Sequence, residues 1–398
     1  MMNRSRHVAA FVALFCLSTA LLGQNRLVVA SGPFDDQLVT IDAATGTLHG
    51  IQTLTSTAGT VQGVNGMAVD PTNGTIYAIV KIAAMSNRQL ATLDRCSGIL
   101  TVVGNMGDSF AAITFDSAGQ LYGVTGDGAN TPETLYTINK ATAVGTLLTA
   151  LGAGTDGEAI AFNPNDGLIY HASGLSTRIF ESIDPVTLTI TNIPLTGFNT
   201  SEVFGLVWDQ LSNGFLVADI GIRFSHLTTG GVISFLYDDS LLINNCRGMV
   251  IVNDLAGTGD DLDITFQRNG GAIQTGFGLC RTQPVLPGDA VVIGHNSPMG
   301  NLAFAGPFVA YGSFITTGVI VPSPLAGLHV DLANGVLIFG GNVGGLPLLL
   351  PVAGFSYGFV TPPVGLAGFS FVAQCIVQSG AALNHIYAAS DALELQFH

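Results

Sequence analysis

The chain has 398 residues, a formal net charge of −15, and only 10% charged against 48% hydrophobic residues. So acidic a surface repels phosphate backbones, which argues against nucleic acid as a partner. Its apolar fraction lets the chain bury a core, which argues against a disordered polymer despite 51 glycines.

The first element is not part of the fold. Arg4 and Arg6 precede an apolar run from Val8 to Leu22, which is followed by Gly23, Gln24 and Asn25. A basic start, a short apolar run and small residues near its end predict a secretory signal peptide over residues 1–23, cleaved after Ala20 or Gly23. The run is shorter than the roughly 20 apolar residues of a membrane anchor. Cys16 follows Phe15, where a lipoprotein signal needs a small residue. Losing Arg4 and Arg6 takes the formal charge to −17. The expected location is secreted, periplasmic or at the cell surface. No transmembrane segment is expected after signal removal, because the later apolar run from Leu346 is broken by Pro351.

From residue 26 the chain repeats itself. A first strand reads GMAV from Gly66, AITF from Ala112, AIAF from Ala159, GLVW from Gly205 and GMVI from Gly248, at intervals of 46, 47, 46 and 43 residues. In four copies Asp70, Asp116, Asn163 or Asp209 follows, and the turn closes on Gly74, Gly119, Gly167 or Gly214. Asp or Asn opens such a turn by accepting from its own backbone, and glycine supplies positive φ. A second strand reads TIYAIV, QLYGVT, LIYHAS and GFLVAD; a third reads QLVTID, QLATLD, TLYTIN and FESID. A fourth follows another turn, and weaker third and fourth strands appear as IRFSHL and GVISFL.

Four short antiparallel strands with a period near 45 residues are the pattern of a β-propeller blade. The chain begins with LVVASG, which matches a second strand, and the missing first strand of that unit is GMVI from Gly248. The fold class expected is therefore all-β: a five-bladed β-propeller over residues 26–253, closed by strands from both its ends. From residue 254 the repeat stops. Apolar or alternating strands separated by Gly/Pro turns follow, with ten charged residues to the end. They predict a C-terminal β-sandwich or jelly-roll domain over residues 254–398.

These stretches carry a resemblance. The LYTID-type strands and Asp-x-x-Gly turns resemble uncharacterised β-propeller repeats of secreted bacterial proteins. GTGDDLDI from Gly257, PGDAVVIGHNSP from Pro287, PPVGLAGFSFVAQCIV from Pro362 and SDALELQF from Ser390 resemble a C-terminal β-domain common in planctomycete-type exported proteins. The resemblance implies location and architecture, and no reaction.

Little in the chain encodes chemistry. GFSYG, from Gly354 to Gly358, has the GxSxG spacing, but a nucleophile elbow needs a helix directly after it, and Pro362-Pro363 forbids one. Asp260, Asp261 and Asp263 lack the full alternation of a calcium loop and read as a turn. The histidines have no ligand spacing, so no metal and no cofactor is expected. The repeated Asp70, Asp116 and Asp209 read as turn caps.

More informative are residues that differ between copies. Gln62, Asp108, Asp156, Glu202 and Asn245 stand three or four positions before each first strand, and Glu158 and Arg247 immediately before theirs. Loops leading into innermost strands share one rim of a propeller, so these seven form the candidate ligand-binding set. Carboxylates and amides there suit sugar hydroxyls, a calcium ion or a cationic group.

Of the cysteines, Cys96 and Cys246 belong to opposite faces. Cys280 with Cys375 is the bridge preferred, although Cys375 in an apolar strand suits a buried thiol equally well. The chain is thus expected to be an exported, non-enzymatic binding or scaffolding protein whose partner is a carbohydrate or a cell-envelope protein. One alternative is a propeller enzyme, a glycoside hydrolase or lyase using Asp156, Glu158 and Glu202 on extracellular polysaccharide. Another is a structural envelope component.

Overall fold

The computed structural model describes residues 26–152, 158–174, 178–198, 202–220, 223–238, 245–253, 255, 257, 260–275, 281–317, 327–330, 335–340, 342–343, 346–362 and 365–398. Residues 1–23, Asp156 and Cys280 lie outside them. The described regular structure is β-strand, and no helix among these residues is long and apolar enough to cross a membrane. The architecture is all-β and propeller-like.

Up to Asn253 the described strands form five sheets. The first sheet takes Arg26–Ser31, Gln37–Asp42 and Leu48–Thr53 from the start of this region and Gly248–Asn253 from its end. Arg26–Ser31 pairs antiparallel with Gly248–Asn253, with Ser31 opposite Gly248 and Arg26 opposite Asn253. The next four sheets are each built on a local antiparallel meander, whose innermost strands are Val61–Val69, Phe110–Phe115, Glu158–Asn163 and Val203–Asp209, and two of them add a short parallel edge strand, Thr55–Ser56 and Thr196–Gly197.

Five apolar clusters join these sheets in a cycle. Leu38 and Val250 of the first sheet pack with Val64 and Ile82 of the second. Ile79 and Leu90 of the second meet Phe110 and Leu121 of the third. Val124 and Leu135 meet Ile160 and Ile169 of the fourth. Tyr170 and Phe180 meet Phe215 and Leu227 of the fifth. Phe224 and Tyr237 of the fifth return to Val28 and Ile41 of the first. Each buried Leu, Ile or Phe contributes on the order of 1.5–3 kcal/mol, so the closing interface adds as much per residue as any other.

Met67, Ile113, Ile160, Leu206 and Met249, at the same position in all five copies, line an axial cavity of about 160 Å³. The residue before each is small because the strands crowd there. A Cβ on Gly66 would lie 2.9 Å from Ala112 Cα of the neighbouring strand.

The recurring turns have the expected chemistry. Asp70 Oδ1 accepts from Thr72 N–H at 2.9 Å, Asp116 Oδ1 from Ala118 N–H at 2.9 Å, Asn163 Oδ1 from Asn165 N–H at 2.9 Å and Asp209 Oδ1 from Leu211 N–H at 3.2 Å. A second set caps the turns between third and fourth strands: Asp42, Asp94, Asn139 and Asp184 accept from Ala44, Cys96, Ala141 and Val186. One expectation changes. The innermost strand of the second sheet begins at Val61 rather than Gly66, with register shifts on the way. The added stretch carries Gly63, at a φ of 154°, where a Cβ would meet the backbone of Pro33 at 2.2 Å.

Beyond Asn253 two sheets share an apolar layer. Ile264, Phe266, Val291 and Ile293 of a four-stranded sheet pack on Phe371, Ala373, Leu393 and Leu395 of a six-stranded one. In the latter, Thr282–Val285 pairs parallel with Leu393–Phe397. These strands lie against the ring face that carries its first-to-second-strand turns. Arg95 Nη2 donates to Thr282 Oγ1 at 2.5 Å, and Gly74 packs on Gln396 and Thr317.

The expected Cys280–Cys375 bridge is not formed. Cys375 is a free, fully buried thiol in the middle of the strand Phe369–Gln378, packed among Phe308, Leu350 and Val377. Among the described residues no second cysteine pairs with it. Cys246 is likewise a buried thiol, whereas Cys96 is disulfide-bonded.

Candidate functional site at the rim of the ring

The ring face away from the C-terminal strands carries the loops leading into innermost strands and those joining second to third strands. Glu158 opens the innermost strand of the fourth sheet and is only 3% exposed. Strand register places it opposite Ser173, and places His171 opposite Glu181 on the next strand. Glu158 Oε1 accepts from Ser173 Oγ at 3.0 Å, and Oε2 lies 2.5 Å from His171 Nε2. The other ring nitrogen, Nδ1, lies 2.9 Å from Glu181 Oε1, which also accepts from Gly152 N–H at 3.0 Å.

This chain of carboxylate, imidazole and carboxylate is buried. Burial pulls the His171 pKa down, but hydrogen bonds to Glu158 and Glu181, and their charges, outweigh it and push it up to about 9. Glu181 is raised by burial, yet its bonds from His171 and the Gly152 N–H hold it below the ordinary carboxylate value. At neutral pH His171 is therefore an imidazolium held between the carboxyl groups of Glu158 and Glu181.

Two more acids meet Glu158 from the neighbouring sheet. Asp127 and Glu133 stand on the loop between Leu121–Thr125 and Thr134–Ile138. Carboxylate oxygens of Asp127, Glu133 and Glu158 lie within 4.8 Å of one another. Burial, then the charges of Glu158 and Asp127 and a hydrogen bond with Asp127, push Glu133 up to about 7, with His171 opposing. Three such oxygens are hard donors of the kind that hold calcium, and equally good acceptors for an ammonium or for sugar hydroxyls. Glu133 shows the electrostatic cost of gathering them.

A cationic stretch lies on the same rim. Arg247 stacks its guanidinium 4.0 Å over the Phe204 ring, and its Nε donates to Asn245 Oδ1 at 3.3 Å. Arg88 donates to the Phe110 carbonyl. Burial, then the charge of Arg247, lowers Arg88 to about 10, with Asp108 opposing.

The seven predicted residues therefore have different fates. Glu158 is at the centre of the carboxylate cluster. Asn245 and Arg247 contact each other. Asp108 braces two loops: it accepts from the N–H groups of Ser109 at 2.8 Å and Asn130 at 2.9 Å. Gln62 is exposed on the extended innermost strand of the second sheet, and Glu202 is buried, 5% exposed. Asp156 lies outside the described residues.

Sequence reasoning missed Asp127, Glu133, His171 and Glu181. The signal for the last two was present. His171 occupies the slot of Ala78, Gly123 and Val217 in the other copies, and Glu181 that of Val39, Ala91 and Tyr136. The fifth copy has Ser225 in the second slot, so what marks this sheet out is a pair of ionisable residues in facing slots.

The other motifs are structural. Asp261 accepts from Ser297 Oγ at 2.6 Å and from the N–H groups of Met299 and Asn301 at 2.9 Å, while Asp260 accepts from Leu383 N–H at 2.7 Å. Ser356 of the GxSxG word is exposed inside the strand Phe355–Val360, opposite Gly294.

No protein-family model and no curated protein matches the chain. Among solved structures it is similar to a chain of the nidogen/laminin complex, at 11% identity and a TM-score of 0.40, covering 57% of this chain and 99% of that one. It is also similar to a protein of unknown function from Bacteroides thetaiotaomicron VPI-5482, at 14% identity and a TM-score of 0.36, covering 55% of this chain and 66% of that one.

Proposed function

We propose that this is an exported, non-enzymatic binding protein. In this reading residues 1–23 are its signal peptide, residues 26–253 a five-bladed β-propeller and residues 254–398 a β-sandwich domain. The propeller presents the acidic rim to a ligand rich in hydroxyl or cationic groups, such as a polysaccharide or an envelope protein, with a calcium ion able to bridge the two. The observation that carries this reading is the meeting of Asp127, Glu133 and Glu158 within 4.8 Å, with Glu133 raised to about 7. Carboxylates held this close favour whatever cation or donor neutralises them.

A catalytic role fits Glu158 less well, because both its oxygens are engaged, one by Ser173 and one by His171. A glycosidase acid or nucleophile must turn one oxygen toward substrate.

The test is co-sedimentation of residues 24–398 with insoluble polysaccharides and cell envelopes, in calcium and in EDTA, with each supernatant assayed for sugar. Pelleting without sugar release that is lost in Glu133→Gln supports the rim. Released sugar would favour the enzyme alternative. Neither pelleting nor release would leave the structural envelope role.

A further inference from the structure

A second concavity is independent of the rim. Between the second sheet of the ring and the C-terminal strands lies a cleft of about 620 Å³, within the range of roughly 300–1,000 Å³ usual for small-molecule sites. The strand Leu393–Phe397 shapes it by alternation. Leu393, Leu395 and Phe397 enter the apolar layer, whereas Glu394, Gln396 and the following His398 line the cleft. On the parallel neighbour, Gln283 also lines it and donates to Gln274 Oε1 at 2.9 Å.

The polar face of this strand is turned toward the ring. Glu394 is 3% exposed and accepts a long, 3.4 Å hydrogen bond from Gln396 Nε2. Opposite these amides and the carboxylate, the ring contributes aliphatic surface from Ile76, Ile99 and Val252. The ring wall also carries Thr92, Asp94, Arg95 and Thr101, so the cleft joins hydrogen-bonding groups to aliphatic carbon, which matches a molecule with hydroxyls on its edges and C–H groups on its faces.

We infer that this cleft is a binding site for a short, neutral oligosaccharide, with hydroxyls on Gln283, Glu394 and Gln396 and a sugar face on Ile99. The acidic rim takes no part in it.

The experiment is a titration of residues 24–398 with maltotriose, cellotriose, xylotriose and mannotriose, read by saturation-transfer NMR and calorimetry. At least one triose is expected to bind. Gln396→Leu removes one hydrogen-bonding amide and is expected to weaken binding about tenfold. Ile99→Trp, at an exposed position on the cleft wall, fills the space and is expected to weaken it at least as much. Affinity should be the same in calcium and in EDTA, which separates this site from the rim. Failure of all four trioses to bind would overturn the inference. So would binding that survives Ile99→Trp, whose exposed position makes loss of folding a poor explanation for any effect.

Discussion

His295 gives the most quantitative prediction. Its imidazole is 1% exposed on the strand Ala290–Asn296, 5.2 Å from the Phe355 ring and 5.9 Å from that of Tyr357. Neither ring nitrogen has a hydrogen-bond partner among the described residues, and burial pushes its pKa down to about 3. The folded state therefore holds His295 neutral, while the unfolded chain takes a proton near pH 6.5. The sign follows directly: the stability is complete above pH 6.5 and is lost as pH falls toward 3. Each pH unit in that window costs about 1.4 kcal/mol, so lowering pH from 7 to 4.5 removes about 2.5 kcal/mol. Replacing the ring by His295→Phe removes the titration and keeps the aromatic packing. Urea denaturation of both proteins at the two pH values, followed by circular dichroism, isolates the effect as a difference of differences. Trp208 fluorescence, recorded in parallel, reports the ring separately. The variant should gain about 2.5 kcal/mol over wild type at pH 4.5 relative to pH 7. An equal loss of stability in both proteins would refute the reasoning.

In the ring the sign reverses: His171 is raised to about 9, so its protonated form stabilises fully below pH 6.5 and the contribution fades as pH rises through 9. Melts followed by Trp208 fluorescence should lose roughly 3 kcal/mol of stability between pH 6.5 and 9.5, and His171→Leu should abolish that slope. Lys140 Nζ lies 2.5 Å from the buried carboxylate of Asp70, so Lys140→Met should cost roughly 1–3 kcal/mol in urea unfolding while Lys140→Arg keeps most of it. Alkylation without reductant should leave Cys246 and Cys375 unlabelled in the native protein and label both in denaturant, with Cys96 protected throughout; labelling of Cys96 would show that its bridge is wrong. Rim affinity for calcium should rise between pH 6 and 8 as Glu133 loses its proton, and a flat calorimetric titration across that range would remove Glu133 from the site.

The ring was legible because its signals are local and repeated. An Asp or Asn followed by a turn glycine fixes each hairpin, and the alternation on either side fixes which residues meet the neighbouring sheet. The seam was legible for the same reason, since LVVASG lacks the partner that GMVI supplies. The C-terminal pairing was not. Thr282 meets Glu394 in a parallel ladder, a contact that no turn chemistry announces and no repeat sets in register. The candidate site fell between these cases. Glu158 stood out by its place before a first strand. Asp127 and Glu133 sit in the second-to-third-strand loop of one copy, with no counterpart to align in the repeat, and reach Glu158 through the packing of two sheets rather than through any spacing along the chain. Cys375 was ambiguous because an apolar strand accommodates a thiol as readily as it presents one.

The seam between Arg26–Ser31 and Gly248–Asn253 has a consequence for how the protein comes to be folded. The four middle sheets are complete as soon as each stretch of about 45 residues is available. The first sheet must wait, with its inner edge bare, until some two hundred more residues have followed it. Drawing those ends together costs about 5 kcal/mol in chain entropy, recovered only when the last strand docks. The final step of ring assembly is therefore a single long-range event. Until it occurs, the unpaired edges of Arg26–Ser31 and Gly248–Asn253 are the places where a neighbouring chain would add itself instead.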